Sequence, residues 1–211
     1  MGPHAGQPVM GAGPPLGRSP VVAIMVHGRN AGPENILDLV PMLARSNVSY
    51  LAPGAADRTW YPYSFMADIA SNEPGLSSGL EVLRLLVARV EQAGVPRHRI
   101  VLLGFSQGAC LTTEFAVRHA ARYGGVAVYS GGAIGPPGTR WDESGQFEGT
   151  PIFFGCSDRD AHVPEPRVTE SAELCARMGA AVTKRIYPGM GHLINDDEIR
   201  WTQDLLDSLV E

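Results

Sequence analysis

The chain has 211 residues, of which 44% are apolar and 18% charged, and a formal net charge of -5. That is enough apolar material for one domain with a sizeable core. It carries no Lys/Arg cluster long enough to track a phosphate backbone, which argues against a nucleic-acid partner. The longest early apolar run, Val21–Val26, is far too short to span a bilayer, which argues against stable membrane insertion.

The first twenty residues hold five glycines and five prolines. Residues 1–19 are therefore expected as a flexible or loosely pinned segment ahead of a single domain over 20–211. The chain start lacks a basic stretch followed by an apolar one, so no secretory signal is expected. Cys110, Cys156 and Cys175 are odd in number and lack metal-like spacing, which points to reduced thiols and a cytoplasmic location. Val21–Val26 reads as a buried strand. A helix is expected over 34–45, kinked or split by Pro41, and then a short strand over 49–52. Residues 75–93 form the clearest helix: Leu80, Leu83, Val87 and Val90 share one face, and Gly94 and Pro96 stop it.

Further strands are expected at 100–105, 125–130, 152–156 and 182–187. Helices are expected at 107–122, 165–178 and 196–210, the last capped by Asn195. Nearly all-apolar strands alternating with helices imply a mostly parallel sheet flanked by helices on both faces, hence an α/β fold. The connection 131–150 is Gly- and Pro-rich and too short to hold an inserted helical lid.

Gly104-Phe105-Ser106-Gln107-Gly108 follows the third strand and opens a helix. A G-x-S-x-G turn there is a nucleophile elbow: it exposes the serine hydroxyl at the carboxyl edge of the sheet. A serine nucleophile needs a base, a group that orients the base, and donors for an oxyanion. The base is expected after the last strand, where Gly191-His192 stands; His162 is its rival. The acid is expected after the preceding strand, where spacing alone leaves Asp158 and Asp160 equivalent. The oxyanion donors are expected to be the backbone N–H groups of Gln107 and of Arg29, in His27-Gly28-Arg29-Asn30 after the first strand. One such motif could arise by chance; four strand-end loops in catalytic order are the stronger signal.

These stretches, with Asp160-x-x-Val163-Pro164 and Gly104–Ala109 read as GFSQGA, resemble the phospholipase/carboxylesterase family of α/β-hydrolases, which includes the acyl-protein thioesterases. The resemblance spans nearly the whole chain from about residue 20 and implies an α/β-hydrolase fold without an inserted lid. It selects Asp160 as the acid, since the family's triad acid stands three residues before a Val-Pro pair. His27-Gly28-Arg29-Asn30-Ala31 and the aromatic stretch 59–65 depart from the thioesterase branch and look more like small bacterial carboxylesterases.

The expected activity is hydrolysis of short or medium acyl esters by Ser106, His192 and Asp160, with no metal or organic cofactor. The alternatives are a lysophospholipase or thioesterase with the same triad, or a non-catalytic binding protein on this scaffold. Trp60, Tyr61 and Met190 are candidates for the substrate wall, although an aromatic cluster is as often core. The expected partner is a small-molecule ester. A homodimer is typical of the family, but no periodicity in the sequence demands one.

Overall fold

The computed structural model describes residues 2–43 and 45–210. Seven strands form one sheet: β1 (Val9–Ala12), β2 (Val21–Val26), β3 (Val48–Pro53), β4 (Ile100–Phe105), β5 (Gly125–Tyr129), β6 (Pro151–Ser157) and β7 (Ala181–Tyr187). Their spatial order is β1-β3-β2-β4-β5-β6-β7. Only β1 runs antiparallel to its neighbour; the other pairs are parallel.

The α-helices among the described residues are α1 (Pro33–Leu37), α2 (Val40–Leu43), α3 (Gly75–Gln92), α4 (Gln107–Arg118), α5 (Glu165–Arg177) and α6 (Asp196–Val210). Strand β2 shows why they must cover both faces. Val22, Ile24 and Val26 enter an apolar cluster with α3, α4 and α5, while Val21, Ala23 and Met25 enter a second with α1, α2 and α6. With side chains alternating along a strand, a fully apolar strand needs a layer on each side. None of the described helices is long and apolar enough to cross a membrane.

The helix expected over 34–45 is split, as Pro41 implies: α1 ends at Leu37 and α2 starts at Val40. Two expectations change. Helix α4 ends at Arg118 rather than at 122. The segment before residue 20 is not a loose tail, because β1 pairs with β3 and His4 is buried. The His4 ring accepts from the N–H of Ala56 at Nδ1 (3.0 Å), so Nε2 carries the proton and donates to the Trp60 carbonyl (2.9 Å). The connection 131–150 holds no helix and packs against α5, where Arg167 donates to the carbonyls of Ala133 and Gly135. It places no helix over the cleft.

Candidate active site

Strand β4 ends at Phe105 and α4 begins at Gln107, so Ser106 alone turns the chain, at φ 57° and ψ -122°. A residue with a Cβ is strained there, by about 1–3 kcal/mol. The turn is held because the Ser106 N–H donates to the Tyr129 carbonyl (3.0 Å) and its own carbonyl accepts from Cys110 (3.0 Å). Helix α4 approaches the sheet where Gly108 has no side chain; a Cβ there would overlap the carbonyl oxygens of Val26 and His27.

The Ser106 hydroxyl lies 2.8 Å from Nε2 of His192, whose Nδ1 lies 2.6 Å from Oδ2 of Asp160. His192 stands between β7 and α6 on a loop tied at two points. The Gly191 N–H donates to Ser157 Oγ (3.0 Å), and the Gly189 N–H donates to Asp158 Oδ1 (2.7 Å). Phe105 packs on the imidazole, with ring centroids 5.0 Å apart. His162, the rival base, meets His192 edge-on at 4.8 Å and has no hydrogen bond to Ser106.

The two aspartates separate by what they touch. Asp158 accepts from the loop backbone, as just described. The side chain of Asp160 is fully buried, and its Oδ1 accepts the N–H groups of His162 (2.8 Å) and Val163 (3.0 Å). The Cys156 thiol approaches Oδ2 at 3.7 Å. Burial pushes the Asp160 carboxyl upward. The hydrogen bonds from His192, His162 and Val163 outweigh that push and hold it below its ordinary pKa.

The start of α4 and the loop after β2 both adjoin the serine. Gln107 is the first residue of α4, so its N–H is one that a helix leaves without an intrahelical acceptor. In the loop, Gly28 packs on Ser106; a Cβ at Gly28 would stand 3.3 Å from the Ser106 Cβ. In that loop Asn30 N–H donates to Arg58 and Ala31 N–H to Gly28, while Arg29 N–H has no acceptor among the described residues. The His27 ring accepts from Ala55 N–H at Nε2 (3.2 Å), so Nδ1 donates to the Gly28 carbonyl (2.8 Å). Burial lowers the His27 pKa, which keeps the ring in this neutral form.

An open cleft of about 520 Å³ lies over Ser106, with Tyr61, Phe65, Cys110 and Val163 among its apolar walls. Of the three substrate-wall candidates, Tyr61 lines it. Trp60 does not: it is wholly buried beneath the loop, its indole N–H donating to the His27 carbonyl (2.9 Å). Met190 also lies outside the lining, and its sulfur accepts from the Asn195 amide. Both were placed near the site by chain position, which cannot say which way a side chain points.

Two supporting side chains escaped the sequence. The Gln107 amide accepts the Trp60 N–H (2.9 Å) and donates to the Tyr61 carbonyl (2.7 Å), fastening the aromatic segment to the elbow. The Arg29 guanidinium donates to the carbonyls of Pro62 (2.8 Å) and Tyr63 (2.7 Å). The GFSQGA string held part of this signal, since its Phe and Gln are the residues that touch His192 and the aromatic segment.

The start of α6 holds an ionisable group of its own. Asn195 Oδ1 accepts from the N–H groups of Asp197 (2.8 Å) and Glu198 (3.0 Å), and Glu198 Oε2 accepts from Asn195 N–H (2.8 Å). This is a reciprocal capping box. Glu198 is fully buried, and its Oε1 has no partner among the described residues. Burial lifts its pKa to about 7, the nearby Asp197 charge adding to the rise and the Asn195 N–H opposing it. The folded pKa lies above the unfolded one. The stability from a neutral Glu198 is thus complete below about pH 4.5 and is lost as pH rises through about 7. The loss is on the order of 3 kcal/mol. Glu198→Gln is expected to flatten the pH dependence of urea unfolding between about pH 4.5 and 7. An equal slope in both proteins would contradict it.

A strand-to-helix serine elbow with an aspartate and a histidine on the loops after the last two strands, on a mostly parallel sheet covered on both faces, defines an α/β-hydrolase. Residues 17–210 match the phospholipase/carboxylesterase family, and the chain belongs to that family. It is similar to a phospholipase/carboxylesterase from Dyadobacter fermentans, with 37% identity over 97% of both chains and a TM-score of 0.90. It is also similar to the acyl-protein thioesterase 1 of Eremothecium gossypii, at 30% identity over 64% of this chain and 59% of that protein. To the Debaryomyces hansenii acyl-protein thioesterase 1 it is 26% identical, over 82% of this chain and 73% of that one.

Proposed function

We propose that this protein is a serine carboxylesterase that hydrolyses small-molecule esters of short or medium acyl chains through an acyl-enzyme. The observation that carries this reading is the continuous hydrogen-bonded run from Asp160 through His192 to Ser106. Ser106 Oγ attacks the carbonyl carbon while His192 Nε2 takes the hydroxyl proton. Asp160 holds Nδ1–H and so fixes the tautomer. The carbonyl oxygen gains charge and receives the N–H groups of Arg29 and Gln107, each contributing about 3 kcal/mol to the transition state. His192 gives its proton to the leaving alkoxide, and water repeats the sequence in reverse to release the acid. The lidless cleft supports small substrates over buried long chains.

A fluorophosphonate probe tests the nucleophile: it should label folded protein at Ser106 alone, and no labelling would remove the reading. Turnover of p-nitrophenyl acetate separates an esterase from a binding protein. The two aspartates give a second test. Asp160→Asn is expected to lower kcat by about 10⁴-fold, because the amide favours the wrong imidazole tautomer. Asp158→Asn keeps an oxygen for Gly189 N–H and is expected to cost less than about tenfold. The thioesterase reading draws on the names of the fungal relatives; matched oxygen and sulfur esters of one acyl group decide it.

A further inference from the structure

A second cavity, of about 570 Å³, adjoins the cleft over Ser106 and shares with it Gly28, Asn30, Ala31, Phe105 and His192. The tilted ring pair Phe105 and His192 lines both. The second cavity is not lined by Tyr61 or Val163, and its own apolar walls are Ile36, Leu39, Leu193 and Ile194. Leu193 is 47% exposed, immediately after the candidate base. Two of the polar groups at the rim are engaged: Arg58 pairs with Glu34, and Asn35 Oδ1 accepts from Gly32 N–H (2.9 Å). The surface left for a ligand is mixed and somewhat more apolar than polar.

We infer that this cavity is the subsite for the alcohol portion of the substrate, taking an apolar or aryl alcohol, an inference that rests on the esterase reading above. The argument is one of directions. A tetrahedral carbon on Ser106 Oγ has three other substituents. Its oxyanion turns to the amides of Arg29 and Gln107. Its leaving oxygen must reach Nε2 of His192 to receive a proton. The group beyond that oxygen therefore passes the imidazole, between it and the Gly28–Ala31 loop, where the second cavity opens. The acyl group takes the remaining direction, toward Tyr61, Phe65 and Cys110 in the first cleft.

Deacylation runs the same geometry backwards, which supplies the test. An alcohol bound in the second cavity can replace water as acceptor. Its oxygen attacks the acyl carbon, its proton goes to His192 Nε2, and that proton then passes to Ser106 Oγ as the acyl–serine bond breaks. With p-nitrophenyl acetate as donor and equal concentrations of benzyl alcohol and methanol, the wild-type protein should form benzyl acetate over methyl acetate by at least about tenfold. Leu193→Trp at its exposed position and Leu39→Phe at a half-buried one narrow the cavity, and each should cut that ratio at least fivefold. The ratio of p-nitrophenyl butyrate to acetate turnover should move less than twofold. Equal partition between the alcohols in wild type, an unchanged ratio in both variants, or a change confined to the acyl series would overturn the subsite alone. No p-nitrophenol release from folded wild-type protein would overturn the esterase reading, and the subsite with it.

Discussion

Ser106→Ala is expected to lower kcat for p-nitrophenyl acetate by about 10⁴- to 10⁶-fold while the protein stays folded. The hydroxyl is the only group removed. Alanine occupies the same φ of 57° with no less strain, and the backbone bonds to Tyr129 and Cys110 do not involve the side chain. His192→Ala is expected to cost about as much. The double variant should lose little more than either alone, because Ser106 and His192 act as one unit. If His192→Ala kept wild-type turnover, His162, whose ring lies 4.8 Å away, would become the preferred base. Ser106→Gly adds a stability readout. Glycine adopts the left-handed turn without a Cβ penalty, so it should be more stable than Ser106→Ala by about 1 kcal/mol in urea unfolding, although equally inactive. Equal stability of the two would mean that the elbow is not strained.

Gly108→Ala is expected to be among the most destabilising single-methyl additions in this chain. The added carbon would overlap the carbonyl oxygens of Val26 and His27, and both belong to backbone at the end of β2 that cannot swing aside. Helix α4 must then lift from the sheet, opening space beside Val26, Ala109 and Leu111, all of which are 0–1% exposed. Overpacking against backbone of this kind costs about 4 kcal/mol. For a domain of this size that corresponds to roughly 10 °C in Tm. The same displacement separates Gln107 from the Arg29 loop, so the folded fraction should also lose activity. A Tm within 2 °C of wild type would show that the helix and β2 are less closely packed than these distances indicate.

The parts of the fold that the sequence revealed are those governed by local pattern. Strands β2, β4, β5 and β6 are mostly apolar runs, while β7 is an edge strand that mixes Thr183, Lys184 and Arg185 with apolar residues, and each appears within a residue or two of its expected place. Helix α3 buries Leu80, Leu83, Val87 and Val90, the face its periodicity predicts. Strand β1 carried no such pattern. Val9 and Met10 are exposed, and the strand is held by backbone pairing to β3 and by the burial of His4, contacts about fifty residues away in the chain. Trp60 and Met190 show the same limit at single residues: chain position brought them near the sheet edge, but hydrogen bonds to His27 and Asn195 turned them away from the cleft.

By itself, then, the sequence determined the order of the candidate site residues. Ser106, the aspartate pair and His192 each follow a strand, and in a parallel sheet every such loop must emerge at the same edge. The tertiary structure decided matters of angstroms between residues distant in the chain. It brought Asp160, the acid that the family resemblance selects and that spacing alone leaves level with Asp158, against the imidazole, placed Arg29 and Gln107 on the aromatic segment, and opened a second cavity beside His192. The reason is physical. Strand and helix follow from periodicities of two and 3.6 along one stretch of chain. Hydrogen-bond selection and cavity shape depend on side chains that meet only after the sheet has formed.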